Sequence, residues 1–188
     1  MNLKKKKIII FGGSGFIGSN LCHDLINTGA KISIFDSFDK DSGSNYRNIF
    51  EIKNDIEIIK KDIRSFNDVL KAVKNNDIVI NCAASTSHYI SMIRPKENLD
   101  INVQGTLNIL ESIKSFDRDK RFIHLSTSTQ IGKLTKKFAD ENHSEFPTDL
   151  YSANKMISEK YTLIYSNFYS LNATVLRLGN IYGPRAAI

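Results

Sequence analysis

Two residues one helical turn apart, Tyr151 and Lys155 in the stretch Tyr-Ser-Ala-Asn-Lys, set the chemistry that this sequence offers. Residues four apart on a helix share a face, so a phenol and an ammonium stand side by side. A neighbouring cation favours phenolate and brings a Tyr down from its ordinary pKa of about 10 toward neutrality. Such a group takes the hydroxyl proton of a secondary alcohol while the carbon gives up hydride. Alone, Tyr-x-x-x-Lys equally describes the surface of an amphipathic helix, and two other stretches supply the context. Gly12-Gly-Ser-Gly15-Phe-Ile-Gly18 follows the apolar run 8–11 and precedes a helical pattern. Backbone N–H groups at a helix N-terminus, with no side chains in the way, suit a dinucleotide pyrophosphate. Ser126-Thr-Ser-Thr129 ends the apolar run 122–125 and offers hydroxyls that can hold a substrate oxygen together with Tyr151. On its own that cluster reads as a loop.

The elements that must position these groups alternate strand and helix. Residues 8–11 are continuously apolar, as in a strand buried on both faces of a parallel sheet. Phe16, Ile17, Leu21, Leu25 and Ile26 keep a helical period that Gly29 closes. Strand two, 31–35, ends in Asp36, eighteen residues beyond Gly18. An acidic residue there accepts from ribose hydroxyls and repels a 2′-phosphate, and no Arg follows it, so NAD is favoured over NADP. Residues 37–54 are polar, with a loop at 42–45 and a short helix over 46–52. Strand three, 56–59, leads to Asp62-Ile-Arg64 and a helix over 66–73, for which Ser65 or Asn67 can serve as cap. Strand four is 77–81, and Cys82-Ala-Ala84 puts small residues where backbone must approach a cofactor. Residues 85–94 read as a polar segment; His88 within it has no partner in sequence and reads as a binding or solvated residue rather than a base. Pro95 precedes a long helix over 97–116, with Leu99, Val103, Leu107, Leu110 and Ile113 at helical spacing. Strand five, 121–125, runs into the hydroxyl cluster, and 133–148 is a polar loop. The reactive pair sits on a helix over 149–169, and 173–178 is strand six. This alternation predicts an α/β fold, a doubly wound parallel sheet between helical layers.

The bulk properties exclude other classes. At 188 residues, 41% hydrophobic and 24% charged, the chain has the length and composition of one globular domain with a real core. The net charge of +6 and the four lysines at 4–7 do not make a nucleic-acid binder, because basic and acidic residues alternate elsewhere. The basic balance does suit an anionic substrate. Cys22 and Cys82 give neither a disulfide framework nor a metal-ligand spacing and read as reduced, buried thiols. No apolar run approaches roughly 18 residues, and no cleavable apolar segment opens the chain. A cytoplasmic protein without membrane or metal association is therefore expected.

Together these stretches resemble the short-chain dehydrogenase/reductase superfamily, in its extended branch of NAD-dependent sugar-nucleotide epimerases and dehydratases. The resemblance also takes in Asn81-Cys-Ala-Ala84, Asn102-Val-Gln-Gly-Thr106 and Leu176-Arg-Leu-Gly-Asn-Ile-Tyr-Gly-Pro-Arg185, and so runs over nearly the whole chain. It implies that residues 1–188 are an NAD-binding Rossmann domain, a three-layer αβα arrangement with NAD across the C-terminal ends of the strands. The implied cofactor residues are Gly12, Gly15, Phe16, Ile17 and Gly18 in the glycine stretch, Asp36 at the ribose, and Asp62 and Ile63 at the adenine. Ala83 and Ala84 mark the close approach, Asn102 lies toward the nicotinamide side, and Tyr151 and Lys155 complete the set. Counting back five from Gly132 makes Thr127 the catalytic hydroxyl beside Tyr151 and Lys155. On the substrate side the resemblance implies Ser85, His88, Thr127, Ser128 and Asn180.

Reaction type follows from the residues after Thr127. In the resembled family 4,6-dehydratases carry Asp-Glu directly after that Thr, and uronate decarboxylases carry a Glu two residues after it. Here these positions are Ser128 and Thr129, so 4-epimerisation of a nucleotide sugar through a transient 4-keto sugar is the reading. Ile131 departs from the aromatic residue that the family places before the glycine. Two other readings stand beside it: an NAD(P)-dependent reductase of a small carbonyl compound, and a non-catalytic NAD-binding module. The second arises because the sequence ends at Ile188, after Gly-Pro-Arg, without the C-terminal substrate-binding lobe that the resemblance implies. The helices around 97–116 and 149–169 are expected to pair in a homodimer or to pack on the sheet.

Overall fold

Four consecutive side chains, Ile8, Ile9, Ile10 and Phe11, are at most 1% exposed, so both faces of the strand that carries them are covered. That strand, β1 (Lys7–Phe11), is central to a six-stranded sheet in the computed structural model, which describes residues 3–116 and 119–186. Ile188, where the sequence ends, lies outside the described residues. The other strands are β2 (Lys31–Asp36), β3 (Ile56–Lys60), β4 (Ile78–Asn81), β5 (Arg121–Thr127) and β6 (Asn172–Leu178). They lie in the order β3-β2-β1-β4-β5-β6, and every pairing is parallel. The helices are α1 (Phe16–Leu25), α2 (Phe66–Lys74), α3 (His88–Ile93), α4 (Pro95–Leu99), α5 (Gly105–Lys114) and α6 (Leu150–Tyr169).

Successive strand side chains point to opposite faces and feed two cores. Ile9, Phe11, Val79 and Phe122 pack with Val69 and Val73 of α2 and Ile109 and Ile113 of α5. On the other face Ile8, Ile10, Ile32 and Ile34 pack with Cys22 of α1 and Ile49 of the 3-10 segment Tyr46–Ile52. This is the doubly wound Rossmann arrangement, three layers deep. The winding reverses between β1 and β4, and the crevice at the C-terminal ends of those strands is where such sheets bind ligands.

Two segments depart from the sequence reading. Residues 85–94 contain α3, six residues long, whose N-cap Ser87 accepts a hydrogen bond from the Ile90 N–H at 3.1 Å. A helix that short shows no period in sequence. The long helix expected over 97–116 instead begins at Pro95 and is interrupted by a π-helical turn, Asp100–Gln104, between α4 and α5. There the Asn102 carbonyl accepts the hydroxyls of Thr106 and Ser158, both at 2.7 Å, and side chains inserted into the backbone ladder distort a helix. Ser65 takes the cap position of α2, although its hydroxyl donates to Asp68 at 2.9 Å instead of accepting from the backbone. Among the described residues no helix is long and apolar enough to cross a membrane.

Candidate functional site

The glycine stretch turns from β1 into α1 with two internal steric demands. Gly12 has φ 74°, and a Cβ there would lie 2.7 Å from the Ala83 nitrogen, so the turn presses against the end of β4. A Cβ on Gly18 would overlap the Gly12 carbonyl oxygen. Gly15 differs: it is the N-cap of α1 with an ordinary φ of −74°, and its Cβ would come no closer than 3.3 Å to the protein. Its missing side chain therefore matters to what lies outside the chain. No side chain caps α1, so its first N–H groups face a crevice of about 440 Å³, as anion binding at a helix start requires.

Ten of the predicted cofactor residues line this crevice; Asn102, Tyr151 and Lys155 do not. Gly12, Gly15, Phe16, Ile17 and Gly18 form one wall, Asp36 and Asp62 with Ile63 another, and Ala83 and Ala84 the floor at the β4 end. Ser44, Lys61, Arg64 and Ile181 line it too, none of them assigned to the cofactor from the sequence. Asp36 is 6% exposed and already accepts from the Ser14 N–H, the Phe38 N–H and the Ser44 hydroxyl, each at 2.9 Å. A carboxylate has about four acceptor sites, which leaves one for a ribose hydroxyl. The Asp62 carboxylate is bound by Arg64 Nε at 3.0 Å from each oxygen. That guanidinium holds the Asp62 carboxyl below its usual range against the opposing effect of burial. A glycine-walled crevice with an acidic residue at the tip of β2 fits a dinucleotide.

The reactive end lies at β5 and the start of α6. Asp149 caps α6, accepting from the Ser152 N–H at 2.9 Å, and the Tyr151 N–H donates to the Ser91 hydroxyl of α3 at 3.1 Å. Thr127, the last residue of β5, accepts from the Thr129 N–H at 3.2 Å with its hydroxyl 3.1 Å from that of Thr129, and it lies near enough to the Tyr151 phenol to bond its ionised form. Lys155 is 4% exposed and donates to the Leu125 carbonyl at 2.5 Å. One expectation is overturned here, since the Tyr151 phenol is raised above its usual value rather than lowered. Burial pushes it up, the Thr127 bond works the other way, and the Asp149 carboxylate adds to the rise. The Lys155 ammonium is directed at a backbone carbonyl, and burial pushes its own pKa down to about 8. Cys22 and Cys82 are both pushed up to about 12 by burial, as suits inert thiols.

The remaining predicted residues fall around this end. His88 opens α3, and it does have a partner, Asp149, with Nδ1 2.8 Å from Oδ2. Its ring meets the Tyr151 ring edge-on at 4.8 Å and 71°. Asn102 is 2% exposed and lies behind the wall rather than in it. Its side chain accepts from the Ser85 N–H at 2.9 Å and donates to the Ser85 carbonyl at 3.1 Å, pinning that loop. Ser128 begins the 3-10 turn after Thr127, and Asn180 is exposed just past β6. Sequence reasoning missed Asp149, Ser91, Gln130, Glu159 and Arg177; of these Asp149, two residues before Tyr151, carried a visible cap signal. Among the described residues no cluster of His, Cys, Asp or Glu is arranged to hold a metal ion.

Known proteins resemble this chain in sequence and fold. A putative UDP-glucose 4-epimerase of Methanocaldococcus jannaschii is 32% identical over 179 residues, covering 95% of this chain and 57% of its own length. A UDP-N-acetyl-alpha-D-glucosaminuronate decarboxylase of Bacillus cytotoxicus is 33% identical, covering 97% of this chain and 56% of its own. The crystal structure of the Thermus thermophilus UDP-glucose 4-epimerase complex with NAD superposes with a TM-score of 0.86 at 28% identity, covering 96% of this chain and 57% of that one. The chain thus spans a little over half the length of these relatives. The pattern of the NAD dependent epimerase/dehydratase family matches residues 8–187, and the chain belongs to that family.

Proposed function

We propose that this chain is the NAD-binding part of a nucleotide-sugar epimerase that inverts C4 through a transient 4-keto sugar. The observation that carries the reading is the glycine-walled crevice at the strand ends together with Thr127 closing β5 and Tyr151 and buried Lys155 on α6 beside it. Bound NAD supplies a hydride acceptor there. Tyr151 takes the proton of the sugar hydroxyl, Thr127 fixes that oxygen, and Lys155 supplies the positive charge that phenolate needs. In the protein alone that charge is directed at Leu125, so the phenol is made basic only when the ligands rearrange this end. Ser128 and Thr129 carry no carboxylate, which argues against elimination or decarboxylation at this position even though the relatives include a decarboxylase. The crevice residues proposed to hold NAD are those named above, with Asp36 disfavouring a 2′-phosphate. Ser85, His88, Ser128 and Asn180 are proposed for the sugar side.

A second copy of the chain is the proposed partner. Ile164 and Phe168 on the outer face of α6 are 55% and 78% exposed, as an unpaired helix face would be. The reading is tested with Tyr151→Phe assayed against UDP-, dTDP-, GDP- and CDP-sugars. Turnover should vanish while NAD stays bound; unchanged turnover removes Tyr151 from the mechanism. Stoichiometric NADH consumption with a ketone, and no turnover of sugars, would favour a carbonyl reductase instead. NAD binding with no turnover of either would leave a binding module.

A further inference from the structure

Behind the reactive end lies a buried ion pair that the proposed chemistry does not use. Glu159, one helical turn beyond Lys155, is 2% exposed. A carboxylate at that depth requires partners, and it has them. Arg177 Nε reaches its two oxygens at 3.0 and 3.1 Å, Arg177 Nη2 reaches Oε1 at 2.6 Å, and Gln130 Nε2 donates to Oε2 at 2.9 Å. Gln130, itself fully buried, accepts the Ser126 hydroxyl at 3.2 Å. Arg177 stands on β6 directly across from Ser126, and it also holds Glu145 and the Glu141 carbonyl in the loop before α6. Lys160 completes the outer side of this cluster at 2.9 Å from Glu145. The cluster therefore grips the residue before Thr127, the turn after it, and the loop that leads to Tyr151.

Glu159 also faces Lys155, because residues four apart share a helix face. The groups around that ammonium are the Leu125 carbonyl and buried His124 on β5, the Cys82 thiol at the end of β4, and Tyr151 and Glu159 on α6. At neutral pH Glu159 is the negative charge among them. Burial would raise its carboxyl, but the bonds from Arg177 and Gln130 hold it below its usual range. A buried ammonium with a neutral backbone acceptor needs such a counter-charge.

We propose that Glu159, held by Arg177 and Gln130, is a positioning residue of the reactive end. Its carboxylate keeps Lys155 charged, and its Gln130–Ser126 link fixes the strand end that carries Thr127. The proposal rests on Tyr151 and Lys155 being the reactive pair, but its electrostatic half is read without substrate. Glu159→Gln keeps the size and one acceptor oxygen and removes the charge. Its Lys155 ammonium, followed by NMR and assigned against Lys155→Met, should titrate about one pH unit lower, the order expected for one nearby charge inside a protein. Coupling is reciprocal, so in Lys155→Met the Glu159 carboxyl should titrate higher by the same amount. Lys155→Met removes a buried charge and gives this answer even if Glu159→Gln does not fold. Where turnover is measurable, Glu159→Gln should lower kcat at unchanged KM and move the alkaline limb of kcat down by the same unit. An unmoved Lys155 in folded Glu159→Gln, or an unmoved Glu159 in Lys155→Met, overturns the proposal. If both titrations move as stated but no nucleotide sugar turns over, the functional reading fails and the counter-charge stands.

Discussion

The glycine crevice and the reactive end are built by opposite means. The crevice owes one wall to a short turn whose residues lack side chains, with Gly12 against Ala83 and Gly18 against Gly12 itself. The reactive end takes its shape from side chains far apart in the chain. His88 meets Asp149, Tyr151 meets Ser91, Asn154 Nδ2 donates to Asn98 Oδ1 at 2.8 Å, and Gln130 meets Glu159. One half is thus damaged by adding an atom, the other by removing one.

The sharpest separation of the two halves is Tyr151→Phe, which should cost turnover about a thousandfold or more while the NAD dissociation constant stays put. Loss of both together would mean that the halves are one unit. Within the crevice, Gly18→Ala should destabilise the fold by about 3 kcal/mol in denaturant unfolding, because the new methyl overlaps backbone. Gly15→Ala should cost less than about 1 kcal/mol and act instead on NAD affinity. Equal destabilisation by the two would contradict the view that only Gly15 is small for a ligand's sake.

The reactive end carries its own pH signature in a buried ammonium. The Lys155 pKa falls from 10.5 to about 8 on folding, so between those values the unfolded chain holds a proton that the folded chain has released. Between about 8 and 9 this group should make stability rise with pH, by up to about 1.4 kcal/mol per unit, and Lys155→Met should abolish that rise; above 9 the raised Cys22 and Cys82 thiols oppose it. At the small end, Asp149→Ala should cost about 1 kcal/mol through loss of the α6 cap. Asp149→Asn keeps a capping side chain but removes the charge that raises the Tyr151 phenol, so Tyr151 should ionise at lower pH, read in the near ultraviolet against Tyr151→Phe. An unmoved phenol would detach the Asp149–His88 pair from the reactive end.

The same contrast explains what could be read from the residues alone. Apolar runs gave all six strands, and the glycine spacing placed the turn between β1 and α1, because both are local signals. Asp36 was found by its distance from Gly18, yet that three donors already surround it follows from Ser44, which no motif ties to it. Tyr151 and Lys155 were legible as a pair; the direction of the ammonium was not, because its acceptor is a backbone carbonyl on another strand. His88 was read without a partner, since Asp149 lies 61 residues away. Nothing in the sequence ties Glu159 to Gln130 and Arg177, which meet only when β5, β6 and α6 are packed together.

The wide turn at Asp100–Gln104 also acts as a phase shifter. Each residue of a helix advances it by about 100°, so one extra residue swings everything downstream around the axis by that angle. With the swing in place, Ile109, Leu110 and Ile113 of α5 point into the core while Asn98 and Asn102, upstream and within the turn, stay aimed at the Ser85 loop. Regularising that stretch by deleting a single residue would leave helix on both sides and yet set the oily stripe and the amide stripe out of step, so that one of them would have to face the wrong way.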